Sequence, residues 1–341
     1  MNKSSTVKKG ISDILQVIVW PVGVYLIFFI LCHVLHAGKF GTLSSIRMVV
    51  IQAIPTTFLA WGMSGNMMSK RWDFSVGNMM ILCCLAGVPI AQMIPSLGVW
   101  GVLIFVVLFG ALFGLLNGAL YTTLKIPSLL ISVGMMKVYE CAGYIIRDGR
   151  PAELGGSMKM FGQMPWCIIV LVIGALLYYY LYFCSPYGKN YYALRDGQGI
   201  AVNNHINEKK NALLSFLFMG IFVGLGAVVY SGMSGIVESS PTQNNAMNMM
   251  CGAFAPIFIG RYLSRHCNIT IGIFVGSLTM KLLTSGIVAV GLPSPMQNVG
   301  NGAFLILFMA ISANQDRIND WAARRKLAAA LKAENAVPAA K

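Results

Sequence analysis

Residues 98–121 run for 24 positions without one charged side chain, and the stretch from Ile14 to Leu35 is equally free of charge. Runs of this length constrain a fold more than anything else in the sequence, because a helix needs about 20 mostly apolar residues to cross the hydrocarbon of a bilayer. In hydrocarbon every backbone N–H and C=O must find a partner within the segment, so the crossing element is a helix. Applied along the chain, this ruler gives ten spans, near 14–35, 46–66, 74–94, 98–121, 127–147, 165–184, 211–233, 246–260, 269–288 and 297–313. The fold class that follows is all-α, a polytopic transmembrane helical bundle. Two segments fit the ruler least well. Segment 127–147 carries Lys137 and Glu140, and segment 246–260 is short, polar at its edges and interrupted by Pro256. Either is compatible with a broken or re-entrant helix.

Charge tests the count. The net charge of +14 would suit a nucleic-acid partner, but only 11% of the residues are charged and 57% are hydrophobic, so the basic residues are read through membrane topology instead. With the N-terminus in the cytoplasm, 18 Lys and Arg fall in inner segments and 5 in outer ones, Lys39, Arg47, Arg147, Arg150 and Lys159. That asymmetry predicts an even number of spans, both termini cytoplasmic, and no nucleic-acid partner. The organisation expected is a cytoplasmic N-terminal tail (1–13), a transmembrane domain (14–313) and a cytoplasmic C-terminal tail (314–341). The first span has no small-residue cleavage site of the expected kind and reads as a retained helix, the alternative being a signal peptide.

The sequence carries no HExxH, no GxSxG and no phosphate loop, so the chain is not expected to be an enzyme or to hydrolyse ATP. Its eight cysteines lie mostly in apolar runs, where a thiol behaves as a small hydrophobe, and His33, His36, His205 and His266 assemble no ligand set. No metal and no cofactor is expected.

Two segments stand out. The first is WDFSVGNMM at 72–80, which sets a carboxylate inside a very apolar chain. At the cytoplasmic start of the third span, Asp73 is expected to cap the helix and pair with Lys70 and Arg71, with Ser75 sharing the cap and Gly77 allowing close packing. Direct contact with a transported solute is the alternative. The second is the polar loop 185–210, longer than helix connections in bundles usually are. Tyr191, Tyr192, Leu194, Ile200, Val202 and Ile206 supply apolar anchors, while Gly197, Gly199 and the Asn203-Asn204 pair supply turns. Such a pattern predicts a short helix parallel to the membrane, built for docking.

The order and spacing of several motifs resemble the ribose-type permease family of bacterial ABC importers. Trp72-Asp73-Phe74-Ser75-Val76-Gly77 stands where the family has a Gly-Ile-Asp-Leu-Ser-Val-Gly-like segment. Asn117-Gly118, Lys125-Ile126-Pro127, Gly149-Arg150-Pro151 and Tyr192-Ala193 follow in the family's order, and His205-Ile206-Asn207 stands at its Gly-Ile-Asn. The resemblance covers about residues 45–315. It departs at Lys70-Arg71, where the family has glycines, at the turn Gly260-Arg261-Tyr262-Leu263-Ser264-Arg265, and at the Met-rich run NNAMNMMCGAF.

The resemblance implies a permease subunit of the bacterial inner membrane, with an inverted repeat among its spans. The implied partners are cytoplasmic ABC ATPase subunits, a second permease chain and an extracytoplasmic sugar-binding protein. Loop 185–210, with Gly197, Gly199, Ile200, Val202, Asn203, Asn204 and Ile206, becomes the ATPase-coupling element, and the solute a monosaccharide. A nucleoside or a sugar-like signal molecule is the alternative cargo, and an ion-coupled secondary transporter the more distant one. Sugars offer hydroxyls and apolar C–H faces, so amides and aromatic rings are the residue types that suit their path. Asn78, Asn117, Tyr139, Trp61 and Trp100 are candidates by type, with helix packing or interfacial anchoring equally open to each.

Overall fold

The computed structural model describes residues 3–35, 40–239 and 245–314. Among these the chain forms α1 (Lys3–Val34), α2 (Leu43–Met68), α3 (Val76–Met93), α4 (Gly98–Leu124), α5 (Ser128–Arg147) and α6 (Trp166–Tyr179), then α7 (Pro186–Asn203), α8 (Glu208–Ser234), α9 (Asn245–Leu263), α10 (Ile269–Ala289) and α11 (Ser294–Ala313). Eight stretches, drawn from α1 to α6, α8 and α10, are long and apolar enough to cross a membrane. Helices α9 and α11 have 19 and 20 residues and carry more polar side chains, Asn248 in one and Gln297, Asn298 and Asn301 in the other. Together they match the ten expected segments in order, with α7 as the polar helix between the sixth and seventh.

Both doubtful segments are unbroken helices. In α5 the two charges satisfy each other, Lys137 Nζ lying 2.7 Å from Glu140 Oε2 one turn away. Helix α1 begins at Lys3, so most of the segment expected as an N-terminal tail is helical. The expected C-terminal tail from Gln315, together with His36, Lys39 and the first two residues, lies outside the described residues.

The helices pair in a pattern that repeats. α3 packs on α4 as α9 packs on α10; α4 lies against α8 as α10 lies against α2; α3 touches α8 as α9 touches α2, around a central α2–α8 contact. This is the packing of an inverted repeat, α2 to α5 answered by α8 to α11. Small residues permit its closest crossings. Gly110 and Gly114 of α4 abut Gly220 and Gly224 of α8, where a Cβ on Gly114 would stand 2.9 Å from the Gly220 Cα. Gly272 and Gly276 of α10 meet Gly260 and the Pro256 carbonyl of α9 in the same way. In a bilayer, where lipid tails are as apolar as leucine, this backbone approach is what holds helices together.

Two faces close the bundle. One carries α7 with the α4–α5 and α9–α10 turns, and its helix starts are capped by Ser185, Asn207 and Asn268, each accepting from a backbone N–H of the first turn. The other carries a short two-stranded ribbon, β1 (Ala152–Glu153) antiparallel to β2 (Ile236–Val237), which staples the α5–α6 connection to the end of α8.

Candidate functional site

Between α2 and α3 the chain abandons the helix. Lys70 turns with φ +60°, residues 71–75 form neither helix nor strand, and α3 starts only at Val76. That start lies deep. Gly77 abuts the Ala246 carbonyl at the first turn of α9, and Asn78 Nδ2 donates to Met136 O at 2.7 Å. Met136 is the ninth residue of the 20 in α5, so α3 and α9 both begin near mid-span. Non-helical backbone at such depth survives only where protein covers it or water fills a cavity beside it.

Asp73 occupies the centre of this crossing. Its Oδ1 accepts from Ser75 N at 2.8 Å and Ser75 Oγ at 2.6 Å, and its Oδ2 accepts from Asn117 Nδ2 at 2.9 Å. Asn117 Nδ2 also lies 2.8 Å from Ser75 Oγ, and its Oδ1 accepts from Tyr139 Oη at 2.6 Å, which lies 3.1 Å from Phe113 O as well. Asp73, Ser75, Asn117 and Tyr139 are all buried. A buried network whose members all have partners is rigid, because any rearrangement leaves a polar group bare.

The expectation for Asp73 is corrected in two respects. It does not lie level with the helix ends: Asn117 is seven residues short of the end of α4, which at 1.5 Å per residue places the pair about 10 Å inside that end. Nor does it pair with Lys70 or Arg71, since among the described residues its partners are Ser75 and Asn117, while the Arg71 guanidinium lies 5.9 Å from the Tyr121 ring centre. It caps the N–H of Ser75, the residue before the helix, rather than the first turn itself.

Of the five residues singled out for a sugar path, Asn78, Asn117 and Tyr139 meet around this crossing. Trp61 is 1% exposed; its indole N–H donates to Thr270 O at 3.1 Å and its ring stacks on Tyr178. Trp100 lies at the ribbon end, half exposed, edge-on to Phe161. Sequence reasoning missed a second buried polar contact, Ser215 Oγ donating to Asn66 Oδ1, and the Ser64–Tyr178 hydrogen bond of 2.8 Å. Their signal was the polar Ser64 and Asn66 in the last turns of α2.

At the face of the bundle, α7 is clamped by its first half. Tyr187, Tyr191 and Leu194 are buried, and Tyr191 Oη donates to Gly65 O at 2.9 Å. The helix kinks at Gly197, and beyond the kink Ala201 turns inward while Ile200 and Val202 stand 73% and 44% exposed. Gly199 faces open space, Asn203 and Asn204 are exposed, Asn204 Nδ2 returns to Ile200 O at 3.0 Å, and Ile206 is half-buried. Arg195 pairs with Asp196 at 2.7 Å, and the guanidinium beside Asp196 holds that carboxyl below its usual range. A cleft of about 680 Å³ opens beside this pair, lined by Met68, Tyr192, Arg195, Asp196, Arg261 and Asn268 among others.

Ten membrane-length helices, eight of them in an inverted repeat, with non-helical backbone deep in the bundle and a clamped polar helix on one face, define a membrane permease. Residues 45–309 match the family described as "Branched-chain amino acid transport system / permease component", and the chain belongs to that family. Curated relatives agree. The chain is 25% identical over 262 residues to the autoinducer 2 import system permease protein LsrC of Photorhabdus laumondii, covering 75% of this chain and 77% of that one. It is 22% identical over 316 residues to the galactose/methyl galactoside import permease protein MglC of Haemophilus influenzae, covering 85% and 93%. LsrC of Yersinia enterocolitica matches at 25% over 279 residues, covering 79% and 75%. The chain is a transport subunit rather than an enzyme, and ATP hydrolysis belongs to a separate subunit.

Proposed function

We propose that this chain forms the translocation path of an ATP-driven importer for a neutral sugar or sugar-like molecule, set in a bacterial cytoplasmic membrane with both termini and the α7 face inward. The observation that carries the reading is α7: two apolar side chains, Ile200 and Val202, are held out from a helix whose other half is fixed by buried tyrosines. An exposed apolar pair on a rigid mount is what a docking partner requires, and the partner proposed is a cytoplasmic ABC ATPase. The ribbon face is left for a binding protein that delivers the solute, and a second permease chain completes the path. The basic residues favour this orientation, since Lys70, Lys125, Lys189, Lys209, Lys210 and Arg261 all lie at or near the α7 face.

The buried crossing is proposed to be structural. Asp73, Ser75, Asn117 and Tyr139 hold α3, α4 and α5 in register, Trp61 belongs to the core, and Asn78 is the amide nearest the depth at which a solute would pass. Two relatives carry an autoinducer in their names and one a hexose, which supports a small polyhydroxylated cargo and keeps a sugar-like signal molecule as the second reading. An ion-coupled mechanism is disfavoured because neither carboxylate deep in the bundle is free: Glu140 is paired with Lys137, and Asp73 accepts three hydrogen bonds from Ser75 and Asn117. Deleting the gene and measuring uptake of labelled D-galactose, D-ribose and autoinducer 2 by intact cells tests the proposal. Loss of one of these activities, restored by the gene, is expected; unchanged uptake of all three contradicts it.

A further inference from the structure

We propose that the Lys137–Glu140 pair of α5 is a solute-binding station inside the membrane, one that takes neutral vicinal hydroxyls; the inference rests on the transport reading above. Lys137 is the tenth of the 20 residues of α5, about 15 Å from either end at 1.5 Å per residue, too far for its ammonium to escape to the headgroups. It does not reach for an end. Its Nζ turns to Glu140 Oε2 at 2.7 Å, and its side chain remains 63% exposed while that of Glu140 is 10% exposed. Charged groups at the centre of a span face protein or water rather than lipid, so the open face of α5 borders an aqueous path.

The surroundings fit such a path. Gly134, one turn before Lys137, has open space where a side chain would be, and Cys141, one turn after, is exposed. At the same depth α3 begins, with Asn78 bonded to Met136 and Gly77 set against the start of α9, whose first turn exposes Asn248. The chemistry selects the ligand class. With no solute bound, ammonium and carboxylate satisfy each other. A vicinal diol replaces their one bond with two, one hydroxyl accepting from Lys137 and its neighbour donating to Glu140, with no change in net charge. An anion would meet Glu140 and a cation Lys137, so both are disfavoured. Binding by exchange of one polar contact for another is also reversible, as a path demands.

The test uses the complete transporter, with its ATPase and binding protein, in proteoliposomes. A positively charged methanethiosulfonate reagent, read at each cysteine by mass spectrometry, should modify Cys141 rapidly, since such reagents react with thiolate in water and not in lipid. The Lys137→Gln/Glu140→Gln double variant keeps the side-chain lengths and removes both charges. It should raise the KM for labelled D-galactose or D-ribose about tenfold, equivalent to about 1.4 kcal/mol, with normal abundance and normal ATPase co-purification. An unreactive Cys141 would place this face against lipid or packed protein and overturn the station. Wild-type uptake with an unchanged KM in the double variant would overturn the station and leave the transport reading intact. A wild-type transporter that takes up neither sugar would overturn both.

Discussion

Gly77 of α3 and Ala246 of α9 meet backbone to backbone, so closely that a methyl group on Gly77 would overlap the Ala246 carbonyl. Through this contact the two inverted halves touch near the depth at which both helices begin. Residues 71–75, drawn out of helical geometry, carry the chain inward from the α7 face to reach it, and the Asp73 network occupies the ground they cross.

Gly77→Ala therefore acts on the junction of the two repeats. Overpacking a tight contact costs about 1–3 kcal/mol, and here the neighbour is backbone that cannot rotate away. Thermal denaturation in detergent should show a lowered midpoint and less protein in the membrane. Gly134→Ala, on the same span depth but facing open space, should leave both unchanged.

The Asp73–Asn117 bond gives a prediction with a built-in control. Asp73→Leu leaves the Ser75 N–H and hydroxyl without their acceptor and takes one of two from the Asn117 amide, at about 1–3 kcal/mol for each buried group left bare. Asp73→Asn keeps an oxygen for Ser75 but turns an amide N–H₂ toward that of Asn117, so it should be damaging and milder than leucine. Exchanging the two, Asp73→Asn with Asn117→Asp, restores donor to acceptor while residue 117 still accepts from Tyr139. Membrane abundance of the exchanged variant should exceed that of Asp73→Asn alone. Equal abundance in the two would mean that the bond contributes nothing to folding.

Docking through α7 should depend on Ile200 and Val202 rather than on nearby charges. Both are exposed, so Ile200→Asp and Val202→Asp should fold and insert normally. Truncating an interface anchor typically costs about 1–3 kcal/mol, about tenfold to a hundredfold in affinity, and a buried carboxylate costs more. ATPase co-purification and uptake should both fall with either variant, whereas Lys209→Ala should change neither. Tyr191→Phe, which loses the bond to Gly65 O, should loosen the mount and weaken co-purification in part.

Much of this fold was legible because hydrocarbon punishes unpaired backbone: the apolar runs returned the ten helices in order, and the polarity of 185–210 returned α7. The depth of Asp73 was not legible. A span ruler counts 1.5 Å per residue, whereas extended chain advances about 3.3 Å, so five residues can cross more than half a leaflet without leaving a hydrophobic signature. A trace was present in Asn117, the polar side chain near the end of the uncharged run 98–121, which required a buried partner. Lys137 and Glu140 cast doubt on α5 because the ruler treats charges singly, while in the helix they lie one turn apart and pair.

The central claim, that this chain is the path of an ATP-driven importer, is tested most directly by vectorial uptake. The purified permease is reconstituted with its ATPase in proteoliposomes, binding protein is added on the side of the ribbon face, and labelled D-galactose, D-ribose and autoinducer 2 are offered in turn. Accumulation of one of them inside the vesicles, requiring both hydrolysable ATP on the α7 side and the binding protein, is the predicted result. Accumulation that proceeds without ATP and collapses with an ion gradient would contradict the account.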